Sequence, residues 1–215
     1  MDRAETPEGD AIVLLRRGHE FEIRGNGWEL ISSRTSFSAA AVPRLAFAAL
    51  NRAPRRILVG GLGMGYTLRA VLDGAGADAL IVVLELVPAV VDWVRGPLAS
   101  LACRPLEDPR VELGVGDVVR RLAGADDGFD VVLLDTDNGP DAVMYRPNRS
   151  LYGRELALVK RALEPDGVAG IWSADRSERF ERALDAAGMR WRRIALDASA
   201  GRGIAEHSIY LASRA

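Results

Sequence analysis

From residue 55 onward, short runs of consecutive apolar residues alternate with stretches whose apolar positions recur at helical spacing. Residues 57–59, 79–84, 111–113, 131–134 and 168–172 are the runs, and they predict strands. Residues 67–72, 88–94, 117–122, 152–163 and 176–187 lie between them and predict helices. Pro88 suits a first helical turn, Asp117 suits an N-cap, and Gly188 suits the end of the last of these helices. A strand covered on both faces reads as a continuous apolar run, and alternation with helices implies a parallel sheet. Residues 191–196 and 208–212 predict two closing strands. The connection between them, 197–206, has no helical pattern, so an antiparallel pair at one sheet edge is expected.

The first 53 residues read differently. Residues 11–15, 19–24 and 28–32 predict short strands, and Gly25-Asn26-Gly27 supplies residues that tolerate the positive φ of a tight turn. The polar stretch 1–10 is expected to be disordered. Ser36 suits the cap of a helix running to about residue 51, with Pro43 as a kink or restart, and Pro54 marks a boundary. The expected organisation is a small β-rich piece, residues 1–53, followed by an α/β domain, residues 54–215. That domain is expected to be Rossmann-like and doubly wound.

Composition narrows the function classes. Of 215 residues, 48% are apolar and 27% charged, and the net charge is −2. No global basic field exists to hold nucleic acid or an anionic membrane. No apolar run reaches the roughly 18 residues of a membrane span, and the acidic start MDRAETPEGD differs from a signal peptide. A single cysteine, Cys103, excludes an intrachain disulfide and points to the cytoplasm. Two distant histidines, His19 and His207, argue against a metal site built on Cys and His.

Four motifs carry chemistry. Gly60-Gly61-Leu62-Gly63-Met64-Gly65 follows a strand and precedes a helix, where glycines let the backbone approach a ligand. Gly61, Gly63 and Gly65 are the expected cofactor-binding positions. Glu85 ends the next strand, where a carboxylate can accept hydrogen bonds from ribose hydroxyls; otherwise it is a surface residue. Asp117 follows the third strand and suits an adenine amino group, a helix N-cap, or both. Asp135-Thr136-Asp137-Asn138-Gly139-Pro140 follows the fourth strand, at the sheet edge where open α/β folds bind ligands. Asp135 and Asp137 suit an amine substrate, one as base and the other as anchor; the alternative is a polar turn. Arg146 and Arg149 face either a substrate carboxylate or solvent. His207 reads as structural and the four tryptophans as packing. Arg176, Arg179 and Arg182, with Glu178 and Glu181, read as a solvated helix face.

Between residues 54 and 173 these segments together resemble the spermidine synthases (polyamine aminopropyltransferases). The segments are RILVGGLGMGYTLRAVL, IVVLELVPAVV, DPRVELGVGD, FDVVLLDTDNGP and LYGRELALVKRALEPDGV. The resemblance implies a class I methyltransferase fold with a seven-stranded sheet and a β-rich N-terminal domain. It also implies decarboxylated S-adenosylmethionine as the sulfonium compound, with methylthioadenosine as product. Three features differ from that family. Met64 stands where an Asp usually sits, the catalytic segment is shorter, and residues 35–43 carry Ser and Ala where a Tyr-His-Glu type segment helps bind polyamine. Without a carboxylate at 64, no strong preference for the decarboxylated compound over S-adenosylmethionine is expected.

The expected function is therefore transfer of an aminopropyl or methyl group from a sulfonium nucleoside to an amine. S-adenosylhomocysteine is the product in the methyl case. A non-catalytic nucleoside-binding relative and a nicotinamide-dependent oxidoreductase are the alternatives. The latter lacks the third fingerprint glycine and room for a substrate domain. A homodimer through the N-terminal hairpin is a further expectation.

Overall fold

The computed structural model of the chain describes residues 1–34, 36–124, 128–136, 139–140, 152–153, 155–197 and 206–215. The chain opens with a four-stranded antiparallel meander: β1 (Asp2–Glu5), β2 (Ala11–Arg17), β3 (Glu20–Gly25) and β4 (Trp28–Ser32). The disorder expected for residues 1–10 is therefore corrected. Asp2 to Glu5 pair with Leu14 to Ala11, and the Thr6 hydroxyl accepts from the Asp10 amide to close the turn. The Asp2 carboxylate also accepts from the Trp93 indole at 2.7 Å. Backbone pairing holds this edge strand, so its polar side chains gave no apolar signal. Asn26 and Gly27 take positive φ at the β3–β4 turn.

Helix α1 (Ser36–Ala48) runs through Pro43 without restarting and stops short of residue 51. Proline has no N–H, so the Ala39 carbonyl one turn earlier lacks its usual helical donor. Val42 and Ala46 of α1 sit over Gly170 in the main sheet.

The remaining elements alternate: β5 (Arg56–Gly60), α2 (Tyr66–Gly74), β6 (Leu80–Glu85), α3 (Pro88–Arg95), β7 (Val111–Val115), α4 (Val118–Ala123) and β8 (Phe129–Leu134). They continue with α5 (Leu156–Ala162), β9 (Leu163–Ser173), α6 (Glu178–Ala186), β10 (Met189–Asp197) and β11 (Glu206–Arg214). The sheet has seven strands in the order β10-β11-β9-β8-β5-β6-β7. Strands β5 to β9 are parallel, and β11 runs antiparallel between β9 and β10. This is the mostly parallel, doubly wound sheet that the class I methyltransferase fold requires. Alternate residues go to opposite faces. Val59, Val83 and Leu133 pack under α1, α2, α3 and the N-terminal sheet. Leu58, Val82 and Val132 pack under α4, α5 and α6.

Three boundaries move. The helix expected over 152–163 covers only Leu156–Ala162, and Leu163 already belongs to β9. The expected turn Pro165-Asp166-Gly167 lies inside that strand. It forms an irregularity between the pairs Phe129–Leu163 and Val131–Val168. Helix α6 starts at Glu178, because the Ser177 hydroxyl accepts from Phe180 N and caps it. Its Glu181 is buried and takes a bidentate contact from Arg176 at 2.9 and 2.8 Å, so this face is not uniformly solvated.

Asp130 pins the entry to β5. Its carboxylate is buried, accepts from the amides of Arg55 and Arg56 at 2.5 and 2.8 Å, and pairs with Arg52. Arg52 also grips the exposed Asp166 bidentately, both contacts at 2.9 Å. Asp130→Ala should lower stability by about 2–4 kcal/mol, because two amides lose their acceptor. Asp166→Ala should cost under about 1 kcal/mol, as for an exposed pair. Urea unfolding of both variants checks the contrast, and equal losses would contradict it.

Candidate functional site

The carboxyl ends of the parallel strands are tied to one another at a single rim. Asp135 N donates to Gly60 O at 2.9 Å, Gly61 N to Leu84 O at 2.8 Å, and Gly116 N to Glu85 O at 2.8 Å. These bonds bring the glycine loop together with the ends of β6, β7 and β8, where strand order reverses around β5. A cavity of about 360 Å³ opens there, within the range of small-molecule sites. Its floor holds Gly61, Gly63, Glu85, Asp117, Asp135 and Thr136, and its roof holds Ile12, Ile23 and Glu29 to Ile31 of the N-terminal sheet.

Gly61 shows why glycine is needed in the loop. Its φ is +94°, and a Cβ there would collide with the Asp135 carbonyl oxygen. Gly63 also has positive φ, and Ile31 Cδ1 of the roof would lie 3.2 Å from an added Cβ. Gly65 does not line the cavity. It precedes α2 and packs against Pro105 and Ala102. Met64 is fully buried and also lies off the cavity wall.

Glu85 is buried at the end of β6. Its two oxygens accept from Leu62 N and Val87 N, both at 2.9 Å. Burial pushes its carboxyl above the usual carboxylate range, and the amide bonds oppose that shift. The amides of Leu86 and Gly63 also favour its ionised form, and the carboxylate lines the cavity beside the glycine loop. The surface alternative for Glu85 is thereby corrected. Asp117 is the N-cap of α4, accepting from Val119 N at 2.8 Å, and lines the same cavity.

Asp135 lies just past β8. Its Oδ2 accepts from the Thr67 hydroxyl at 2.5 Å, and burial pushes its carboxyl up while this bond pulls it down. Thr67 Oγ1 is also 3.4 Å from the Ala39 carbonyl, the group that Pro43 deprives of its helical donor. One hydroxyl hydrogen cannot serve both acceptors, and the shorter contact takes it. Asp137, Arg146 and Arg149 lie outside the described residues.

Sequence reasoning missed several residues that line the cavity or support its wall. Thr67 was visible only as a helix-start residue. Ser38, Trp172 and His207 come from α1, β9 and β11 and meet at one end of the cavity. His207 Nδ1 lies 2.9 Å from Ser38 Oγ, and its ring meets Trp172 edge-on at 4.9 Å. No periodicity signals this meeting, since the partners are far apart in sequence. Among the described residues, no group of three His, Cys, Asp or Glu side chains is placed to hold a metal ion. Among them, no helix is long and apolar enough to cross a membrane.

Gly61→Ala should lower stability by about 2–4 kcal/mol, since a Cβ collides with backbone at a left-handed position. Gly63→Ala meets only a side-chain tip and should cost about 1 kcal/mol. Denaturant midpoints of the two variants test this order; a costlier Gly63→Ala would contradict it.

The model of the spermine/spermidine synthase domain matches residues 44–178. The polyamine aminopropyltransferase of Mycobacterium tuberculosis is 32% identical over 161 residues, 73% of this chain and 29% of that protein. The Aeropyrum pernix polyamine aminopropyltransferase is 33% identical over 121 residues, 55% of this chain and 37% of that protein. The matches thus span well under half of these relatives' lengths. The solved spermidine synthase from Thermotoga maritima superposes with a TM-score of 0.79 at 16% identity, covering all of this chain and 72% of that one. A spermidine synthase in complex with the transition-state analogue AdoDATO gives 0.80 at 18% identity, covering all of this chain and 73% of that one. With a matched segment that takes in the glycine loop, Glu85, Asp117 and Asp135, the chain belongs to the spermine/spermidine synthase family.

Proposed function

We propose that this protein transfers an aminopropyl group from decarboxylated S-adenosylmethionine to an amine and releases methylthioadenosine. The observation that carries the proposal is the charge of the cavity. Glu29, Glu85, Asp117 and Asp135 line it, and among the described residues no Arg or Lys does. Glu29 is partly neutralised by Arg34 at 3.4 Å, and burial pushes His207 toward its neutral form. A ligand bearing a sulfonium and an ammonium suits such a wall. S-adenosylmethionine adds a carboxylate, which would be desolvated without a cation. The cavity charge therefore outweighs the expectation drawn from Met64, whose side chain lies off the wall.

Gly61 and Gly63 admit the nucleoside to the backbone, Glu85 takes ribose hydroxyls, and Asp117 takes the adenine amino group. Gly65 supports the loop from behind. When bound, the sulfonium compound supplies an electrophilic carbon and a neutral thioether leaving group. Asp135 attracts the acceptor's ammonium and takes one proton, freeing the nitrogen lone pair for in-line attack on that carbon. The carbon–sulfur bond breaks and its electron pair stays on sulfur. A raised carboxyl is better matched to this task near neutral pH than an ordinary aspartate. Asp137 remains the proposed anchor for the amine. The same proposal takes residues 1–53 as a roof piece on the 54–215 domain, in a cytoplasmic homodimer that binds neither nucleic acid nor membrane. Exposed Trp28 and Phe37 support the dimer.

Decarboxylated S-adenosylmethionine should bind more than about tenfold tighter than S-adenosylmethionine, a difference of ~1.4 kcal/mol. Calorimetry with both compounds tests this, and equal affinity would sink the assignment.

Asp135→Asn should cut turnover by about 10²–10⁴-fold, the usual value of base assistance, with methylthioadenosine affinity nearly unchanged. Thr67→Val removes the hydroxyl that favours the ionised carboxylate, so Asp135 stays protonated to higher pH. Activity falls as pH drops through that pKa, and the acid limb should move up by about one pH unit, or ~1.4 kcal/mol. Thr67→Ser should restore the original limb. An unmoved limb in Thr67→Val, or lost nucleoside binding in Asp135→Asn, would remove the base assignment.

A further inference from the structure

We propose that Tyr152 is a positioning residue for the reaction: its phenol holds the backbone that carries Asp135, from the sheet face opposite Thr67. This rests on the aminopropyl-transfer reading and deepens it. It names a residue that acts on the rate through Asp135 rather than by touching substrate.

The Tyr152 oxygen lies 2.7 Å from the Thr136 hydroxyl oxygen and donates to the Thr136 carbonyl at 3.1 Å. A phenol has one hydrogen, and a carbonyl can only accept. With that hydrogen on the carbonyl, the threonine hydroxyl is the donor of the shorter bond. One oxygen thus grips both the side chain and the main chain of Thr136. Thr136 directly follows Asp135 and lines the cavity with it.

The peptide groups around Asp135 are held in succession. The Asp135 amide donates to Gly60 O at 2.9 Å. The Asp135 carbonyl lies against Gly61, where an added Cβ would collide with it. The Thr136 carbonyl accepts from Tyr152. The first two holds come from β5 and the glycine loop. The third comes from the apolar cluster under α4, α5 and α6, to which Tyr152 belongs. The Asp135 carboxyl takes the Thr67 hydroxyl from α2, which packs on the other face of the sheet.

Tyr152 is itself braced. It is fully buried, its ring meets Phe180 edge-on at 5.6 Å, and Phe180 meets Tyr210 edge-on at 5.1 Å. The Tyr210 hydroxyl accepts from Ser177 N at 2.8 Å, at the cap of α6. A core role accounts for the stacked rings and for one partner on the phenol. It does not account for a double grip on the residue beside the reacting carboxylate. Displacing a reacting group by about 1 Å can cost about 10²-fold in rate, so a hold at this point bears on turnover.

Tyr152→Phe keeps the ring and removes only the oxygen. With decarboxylated S-adenosylmethionine and butane-1,4-diamine both saturating, kcat should fall by about 10–100-fold. Methylthioadenosine affinity, read by calorimetry, should stay within about twofold. The acid limb of the pH profile should stay in place, because the carboxyl is bonded to Thr67 and not to the phenol. Thr136→Val, which removes the shorter bond, should cost less than about twofold more when added to Tyr152→Phe, since the two act as a unit. By NMR, the Asp135 amide should exchange with solvent at least about tenfold faster in Tyr152→Phe, while the Gly61 amide, bonded to Leu84 O, keeps its rate. An unchanged kcat, an unchanged Asp135 exchange rate or an additive pair of substitutions would overturn the proposal. So would a fall in kcat matched by equal loss of methylthioadenosine affinity, or faster exchange at both amides, since either reports general loosening. A wild-type chain that binds methylthioadenosine but turns over no amine removes the transferase reading instead, and Asp135 exchange then decides whether Tyr152 holds the segment.

Discussion

Two backbone amides from different loops, Leu62 N and Val87 N, point at one buried carboxylate, that of Glu85. The rest of the site depends on this convergence. It joins the glycine loop after β5 to the start of α3, and so fixes how the first two strand ends face each other. Buried amides without an acceptor are costly, and a buried carboxylate without donors is costlier still. Each therefore holds the other in place. The Gly61 and Gly116 amides then close onto the carbonyls of Leu84 and Glu85, and Asp135 N closes onto Gly60. A rim of backbone bonds results, and the acidic side chains are mounted on it.

The N-terminal sheet completes the cavity. Ile12, Leu14, Phe21 and Ile23 bury themselves in the same apolar cluster as Val59, Val83 and Leu133 of the main sheet. Ile31 reaches the glycine loop, and Glu29 brings a carboxylate to the wall. Helix α1 contributes from the side, and its internal proline matters there. Pro43 leaves the Ala39 carbonyl without a helical donor next to Thr67, whose hydroxyl is committed to Asp135.

The carboxylates of the cavity differ in how they are held. Glu85 and Asp117 have taken up backbone amides and hold their positions through them. Asp135 is instead supported by the Thr67 hydroxyl, and it shares the cavity with Ser38, Trp172 and His207. The carboxylates of one cavity are thus mounted in two ways, on backbone amides and on a side-chain hydroxyl.

Strand and helix alternation, the seven-stranded sheet and its antiparallel edge were legible in the sequence, because doubly buried strands write themselves as apolar runs. The glycine loop, Glu85, Asp117 and Asp135 were legible for a related reason: α/β folds carry ligand chemistry at strand ends, and strand ends are easy to find. Strand β1 was not legible, since backbone pairing rather than side-chain burial holds it. The start of β9 was hidden by turn residues that the strand absorbs as an irregularity. Nor could the sequence show that Thr67 donates to Asp135 across 68 positions, or that Ser38 meets His207 across 169. Such contacts leave no periodic trace, because they depend on how the sheet stacks α1, α2 and β11 around one opening. The sequence by itself determined the layers and the strand ends; only the tertiary structure decided which side chains share the cavity.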